Sequence, residues 1–390
     1  MALVEPPARL AQPSYDLEAI RAQFPIASEW AYFNHAGISP LAEPVHRAQM
    51  DMLAAIRDNG SAFFETDYYE SLHAELVGRI GSLVNATPDE IALVQNTGTG
   101  LSIVSGGLTL QSGANIIVCD MEFPTNVYPW MGLARRSDAE LRIVPPDNGG
   151  LTLRRLEEHA DSSTALVAVS SVEFLTGHRT DLRALGDYCR SHDILFVVDG
   201  IQSLGHVPMD VRAMQIDFLS TGGMKSLLGP PGIGFLYIRR DRLEELSPVL
   251  LGGMSVTDYL EWTNYHWELR PEAGRYEMGT PNVVGEAGLN AALGMLLDLG
   301  IANIDAWVTQ LADALMDDLD ARGYEILTPR DPARHAHIVT WKVDDPQASF
   351  DLLNARKIKT AAREGFLRAS LHCYNSFDEV LRIGEALSGS

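Results

Sequence analysis

The chain is short of several things. It has three cysteines, Cys119, Cys189 and Cys373, far apart and without CxxC or metal-ligand spacing. That excludes a disulfide framework and a structural zinc, and it fits a reducing compartment. Positive charge is scarce as well, with 30 basic against 52 acidic residues and a net charge of -22. Nucleic acids and anionic membranes reward basic patches, so both are expected to be absent as partners. No apolar run reaches the roughly 18 residues of a membrane span, and the start carries no basic residues followed by an apolar stretch. The reading is a soluble, cytoplasmic chain. There is no GxGxxG and no GK[ST], which removes dinucleotide and P-loop sites. Lysine is the rarest basic residue, with only Lys225, Lys342, Lys357 and Lys359. Arginine covers the surface, so a lysine among glycines needs its own explanation.

What is present reads as an enzyme-sized globular chain. With 390 residues and 46% hydrophobic content, two packed domains are expected. Helical periodicity predicts helices over 16–23, 44–59 and 68–83. Apolar runs at 91–95, 115–119, 166–170 and 194–198 alternate with helical patterns, one of them near 181–192. Helices are expected at about 283–299 and 303–322, strands near 338–343 and 367–370, and a helix from 378. Continuous apolar strands separated by helices predict a mostly parallel sheet covered on both faces. The expected fold class is α/β, a large domain of this kind with a smaller α+β C-terminal domain. The boundaries fall at 1–35 for an N-terminal segment packing with the small domain, 36–282 for the large domain and 283–390 for the small one.

Ligands of such sheets bind beyond the carboxyl ends of the strands, and the polar clusters lie there. Asp199 ends an apolar run, where an unpaired acid is costly to bury. It either caps a following helix or pairs with a protonated ring nitrogen, with Gln202 three residues on. Lys225 stands between Gly222-Gly223 and Gly229-Pro230-Pro231-Gly232. Glycines let backbone approach a ligand, and a desolvated lysine becomes a Schiff-base nucleophile. Thr97-Gly98-Thr99-Gly100 joins a strand to a helix and offers amides and hydroxyls to a phosphate. Phe123 either packs in the core or stacks on a ring. An acid for a ring nitrogen, an amide for a ring oxygen and a lysine together describe the handles of pyridoxal phosphate. The aromatic stretch Tyr259, Trp262, Tyr265, Trp267 and Tyr276 either walls a pocket or packs at an interface.

DGIQSLG at 199–205 followed by STGGMKSLLGPPGIGFLY at 220–237 resembles the class V aminotransferase family of pyridoxal-phosphate enzymes. YFNHAG at 32–37, QNTGTGLS at 95–102, EFPTNVYPW at 122–130, RYEMGTPN at 275–282 and FLRASLHCYNSFDEV at 366–380 follow in the family's order. The resemblance implies an aspartate-aminotransferase-like fold and pyridoxal 5'-phosphate as cofactor. It makes Lys225 the catalytic lysine, Asp199 the holder of the pyridine nitrogen and Gln202 that of the phenolic oxygen. Thr97 and Gly98 would take the phosphate, and Phe123 would stack on the ring. Thr280 would reach the phosphate of a partner subunit, implying a homodimer with shared sites. Arg368 would clamp the substrate α-carboxylate, and Asn34 and His35 would line the substrate entrance. No metal is implied.

Departures from the family bear on the reaction. Cysteine desulfurases of this family carry a nucleophilic cysteine shortly before the Arg368 motif, where KIKTAAREGFL at 357–367 has none. Cys373 lies inside the HxYN piece and reads as packing. Met224 replaces the histidine usual before the lysine. Transamination is the expected reaction, with β-elimination from a cysteine-derived substrate or epimerisation as alternatives. A module that kept the fold without catalysis is disfavoured by Asp199, Gln202, Lys225 and Arg368.

Overall fold

The computed structural model describes residues 12–388 apart from 66, 262 and 264. The first eleven residues of the N-terminal segment expected at 1–35 lie outside the described residues.

Seven strands form the large sheet, in the order Ile91–Val94, Gly234–Ile238, Phe218–Gly222, Leu195–Asp199, Thr164–Ser170, Asn115–Cys119, Glu140–Val144. Gly234–Ile238 is antiparallel to both neighbours, and every other pairing is parallel. Side chains alternate across a strand, and here both faces are buried. Ile117, Val167, Val169, Phe196 and Val198 enter one apolar cluster, while Ile116, Val118, Ala168 and Val197 enter another. A sheet covered on both faces therefore yields the continuous apolar runs seen in the sequence.

Three strands escaped those runs. Glu140–Val144 lies at the sheet edge and is largely exposed or half-buried, so its pattern is broken by Glu140 and Arg142. Phe218–Gly222 and Gly234–Ile238 flank the lysine turn, where their glycines read as loop. Gly234 is required by strand contact, since a Cβ there would fall within 2.1 Å of the Thr221 carbonyl oxygen.

The C-terminal part contains an antiparallel sheet in the order Ala361–Arg363, Phe366–Ser370, Ile338–Lys342. Helices Ile301–Ala321, Pro346–Ala355 and Phe377–Ser388 belong to the same part. The N-terminal segment joins it: Ala31–Tyr32 pairs in parallel with Ile358–Lys359, and Asn34 bridges to Ser370. The Tyr15 hydroxyl donates to the Cys373 carbonyl at 2.8 Å, and Arg21 grips Glu379 at 2.7 and 2.9 Å. Helix Val283–Leu299 packs against Glu43–Asn59 and Asp67–Val84 and buries most of its length. Among the described residues no single helix is long and apolar enough to cross a membrane.

Candidate active site

Asp199 is the last residue of its strand and is 3% exposed. Its carboxylate accepts the Ile201 amide at 2.9 Å, and its carbonyl accepts the amide and hydroxyl of Ser171. Burial raises its pKa to about 6, opposed by the Ile201 amide and by Lys225. Lys225 lies in the turn between Phe218–Gly222 and Gly234–Ile238 and is 9% exposed. Burial lowers its ammonium to about 8; Asp199 pulls upward, and Arg368 and Arg363 push further down. Acid and amine thus each move toward the neutral form because desolvation outweighs their attraction.

The backbone of the lysine turn is fastened from below. Ser39 donates its hydroxyl to the Lys225 carbonyl at 2.8 Å and pairs with His35 Nδ1 at 2.8 Å. His372 accepts the Cys373 amide on Nδ1, so its Nε2–H donates to the Ser226 carbonyl at 3.0 Å. His206 stacks on His337 at 4.0 Å and lies 4.0 Å from His372, which meets His35 edge-on at 5.1 Å. All four imidazoles are buried, and burial first, then mutual repulsion where neighbours contribute, depresses their pKa values, that of His372 to about 4. His35, expected to line the substrate entrance, is buried, and the turn it belongs to folds back so that the Ala36 amide reaches Ser370 Oγ at 2.8 Å.

Around the acid and lysine lie the other expected groups. Thr97 opens helix Thr97–Gly107, its Oγ1 buried without a partner among the described residues and its carbonyl accepting Ser220 Oγ at 2.9 Å. A Cβ on Gly98 would stand 3.2 Å from Asn96 Oδ1 and 3.3 Å from Thr125 Cγ2, so this turn is cradled on two sides. An open cleft of about 650 Å³ lined by Asn96, Gly98, Thr99 and Thr125 borders it. Gln202 donates one amide hydrogen to the Ala36 carbonyl at 3.2 Å, while its Oε1 is buried and has no partner among the described residues. The Phe123 ring centre is 5.5 Å from Lys225 Nζ; the ring meets Phe174 edge-on at 5.3 Å and stays 44% exposed.

Arg368 comes from Phe366–Ser370 and is buried, with Nη1 donating to the Phe174 carbonyl and Nε without a partner among the described residues. Burial, then Arg363, lowers its pKa to about 10. Asn34 has a buried Oδ1 without a partner among the described residues, beside the same strand. Thr280 stands apart from this group. It is exposed and lines a cleft of about 440 Å³ with Thr99, Gly232 and Glu286. Tyr259, Tyr265 and Trp267 line a further cleft of about 500 Å³, and Tyr276 is buried with its hydroxyl on the Leu246 carbonyl. Trp262 lies outside the described residues.

No thiol reaches the site among the described residues. Cys119, Cys189 and Cys373 are all buried, and burial raises each thiol pKa, that of Cys373 to about 12. Two acids beside Asp199, Glu122 and Glu173, escaped the sequence reading although each lies three residues beyond a strand. An acid so close to an apolar strand end is the signal that could have found them. Among the described residues no group of three or more His, Cys, Asp or Glu side chains is arranged to hold a metal ion.

The unpaired groups match one cofactor in kind. A buried acid suits a ring N–H, the unpaired Oε1 of Gln202 a phenolic O–H, the orphan Thr97 hydroxyl at a helix start a phosphate, and the exposed face of Phe123 a ring. The family model described as Aminotransferase class-V matches residues 31–383. A probable cysteine desulfurase of Methanothermobacter thermautotrophicus is 30% identical over 95% of this chain and 97% of its own length. The apo structure of a cysteine desulfurase from Thermococcus onnurineus superposes with TM-score 0.88 at 27% identity, covering 97% of this chain and 98% of that one. The complex of the cystine C–S lyase C-DES with its reaction product cysteine persulfide superposes with TM-score 0.86 at 27% identity, covering 94% and 99%.

Proposed function

The chain belongs to the class V aminotransferase family and is a pyridoxal-phosphate enzyme acting on an amino acid, and from that premise we propose that it is a C–S β-lyase. Its substrate would be a cysteine-derived amino acid whose sulfur already carries a good leaving group, such as the disulfide cystine. The observation that carries this reading is the burial of every thiol. With no reachable cysteine to accept sulfur, the sulfur departs on the product. Similarity to enzymes named for cysteine desulfuration and cystine cleavage supports bond breaking at Cβ–S over amino transfer, the reaction favoured by the sequence alone.

When bound, pyridoxal phosphate draws the electrons of a bond broken at Cα into its protonated pyridine ring. Asp199 would hold the ring nitrogen, Thr97 and the first amides of its helix the phosphate, Gln202 the phenolic oxygen and Phe123 one ring face. Lys225, with its ammonium lowered to about 8, offers a free amine in mildly alkaline solution. That amine would hold the cofactor in the resting enzyme and, once the substrate's own amine had displaced it, would take the proton from substrate Cα. Arg368 would receive the α-carboxylate on donors it does not use within the protein, fixing Cα against Lys225. The Cβ–S bond then breaks with its electron pair leaving on sulfur, and water converts the remaining fragment to pyruvate and ammonia.

The test is holoenzyme mixed with cystine, cysteine and alanine without any keto acid. Elimination gives many turnovers of pyruvate, ammonia and persulfide from cystine, while Lys225→Ala loses both turnover and the lysine-bound cofactor absorption. Conversion of a single equivalent of cofactor to its amine form on alanine, with no pyruvate from cystine, means transamination; racemised alanine means epimerisation. The reading extends to a homodimer in which Thr280 reaches the partner's phosphate. Sedimentation of active holoenzyme as a monomer overturns that extension.

A further inference from the structure

We propose that Glu173 is a neutral carboxylic acid whose proton bridges to an ionised Glu122, and that this pair positions Asp199. The proposal rests on the cofactor assignment and not on the elimination reaction. Glu122 follows strand Asn115–Cys119 and is surrounded by donors. One oxygen accepts the Ser170 amide, the other the Ser170 hydroxyl at 2.6 Å and Asn126 Nδ2 at 2.9 Å. Asn126 is itself oriented by Trp130 Nε1 at 3.0 Å. Glu173 has the opposite surroundings. It is 1% exposed, Oε2 is buried without a donor among the described residues, and its carboxyl meets that of Glu122.

Two carboxyl groups in dry contact cannot both be charged. Three donors mark Glu122 as the anion, so the shared proton belongs to Glu173. Burial is the first cause raising both acids, Glu122 to about 7 and Glu173 well above the usual carboxylate range. The other titratable groups facing the pair are Asp199 on the next strand but one and the Cys119 thiol, with Asp120 beyond it; Lys225 faces Asp199.

The route to Asp199 is a strand end. Ser170, gripped twice by Glu122, is the sheet partner of Asp199, and Ser171 holds the Asp199 carbonyl. The pair therefore fixes where the Asp199 carboxylate stands and places one additional negative charge behind it. That charge favours a proton on whatever Asp199 contacts. The ring nitrogen is the group so favoured, and Glu122 and Glu173 are positioning residues for it.

Two measurements test this. In the infrared spectrum of the apoprotein at neutral pH, wild type minus Glu173→Gln should contain the carbonyl stretch of one protonated carboxylic acid. Absence of that band overturns the proton assignment. In reconstituted holoenzyme, the visible absorption is titrated with pH. Glu173→Gln, which replaces a neutral donor by a neutral donor, should leave the midpoint in place. Glu122→Gln, which removes a charge, should lower it by about one pH unit. A shift in Glu173→Gln alone puts the charge on Glu173, and equal shifts in the two variants put it on both acids alike; either result overturns the proposal. If Glu122→Gln does not fold, Ser170→Ala, which strips one donor from Glu122, should move the midpoint in the same downward direction; an unmoved midpoint there overturns the positioning role. Failure to bind the cofactor at all sinks the cofactor assignment instead, and the infrared result stands apart from it.

Discussion

Among the described residues the Arg368 guanidinium is committed to one acceptor, the Phe174 carbonyl, and keeps Nε free at a buried position. A planar fork with unused donors suits a carboxylate, and a point-charge ammonium cannot reproduce two parallel bonds. Arg368→Lys should therefore raise KM for the amino acid by roughly 10- to 100-fold, with cofactor absorption unchanged, because about 1.5–3 kcal/mol of charge-assisted bonding is lost. Steady-state kinetics beside the visible spectrum check this. The four histidines under the lysine make a second prediction. Their folded pKa values lie below that of a free imidazole, so the unfolded chain binds protons first as pH falls. Stability is then lost from about pH 6.5 downward, by at most about 1.4 kcal/mol per ring per pH unit, and for His372 the loss continues to about 4. Asp199, raised to about 6, Glu122, raised to about 7, and Glu173, held well above the usual carboxylate range, act in the opposite direction, since their protons favour the folded state as pH falls. Urea unfolding at stepped pH should show the histidine slope, and His337→Asn should flatten it.

At the scale of elements, the helix that starts the phosphate turn lies unusually close to the sheet. A Cβ on Gly100 would come within 2.2 Å of Ser220 Oγ and 2.9 Å of Ser220 Cβ. Ser220 also donates to the Thr97 carbonyl, so a shifted helix displaces Thr97 with it. Gly100→Ala should cost about 1–3 kcal/mol and weaken cofactor binding, measured by thermal melting and by cofactor titration. Legibility in the sequence followed burial. Strands covered on both faces, and helices such as Val283–Leu299, were readable because a single apolar environment runs their length. Glu140–Val144 was not, since an edge strand mixes charge into its pattern, and the strands beside Lys225 were hidden by glycines that serve strand contact. Of the site, Asp199, Lys225, Gln202, Thr97, Phe123 and Arg368 stood out as polar groups or rings at strand ends and in motif order. Glu122 and Glu173 did not, because their pairing depends on two neighbouring strands meeting in register. The burial of His35 depends on a turn closing onto Ser370, a contact across 334 residues of sequence that no local pattern encodes.

For the whole molecule, the chain's beginning is tied to its end. Tyr15 reaches Cys373, Arg21 reaches Glu379, Ala31–Tyr32 pairs with Ile358–Lys359, and Asn34 bridges to Ser370. Arg21 is only partly covered, yet it satisfies both oxygens of a buried Glu379, so Arg21→Ala leaves an acid without its cation and should destabilise the protein by about 3 kcal/mol or more, read from chemical unfolding. The same closure sets an order on synthesis. Residues 31–39, which fasten the backbone of Lys225 through Ser39, emerge from the ribosome first but find their strand partner only after residue 359 has been made. During translation the large sheet can form while its lysine turn remains unfastened from below. A nascent chain arrested before residue 357 should therefore fail to retain the cofactor, and release of the full chain should complete the site.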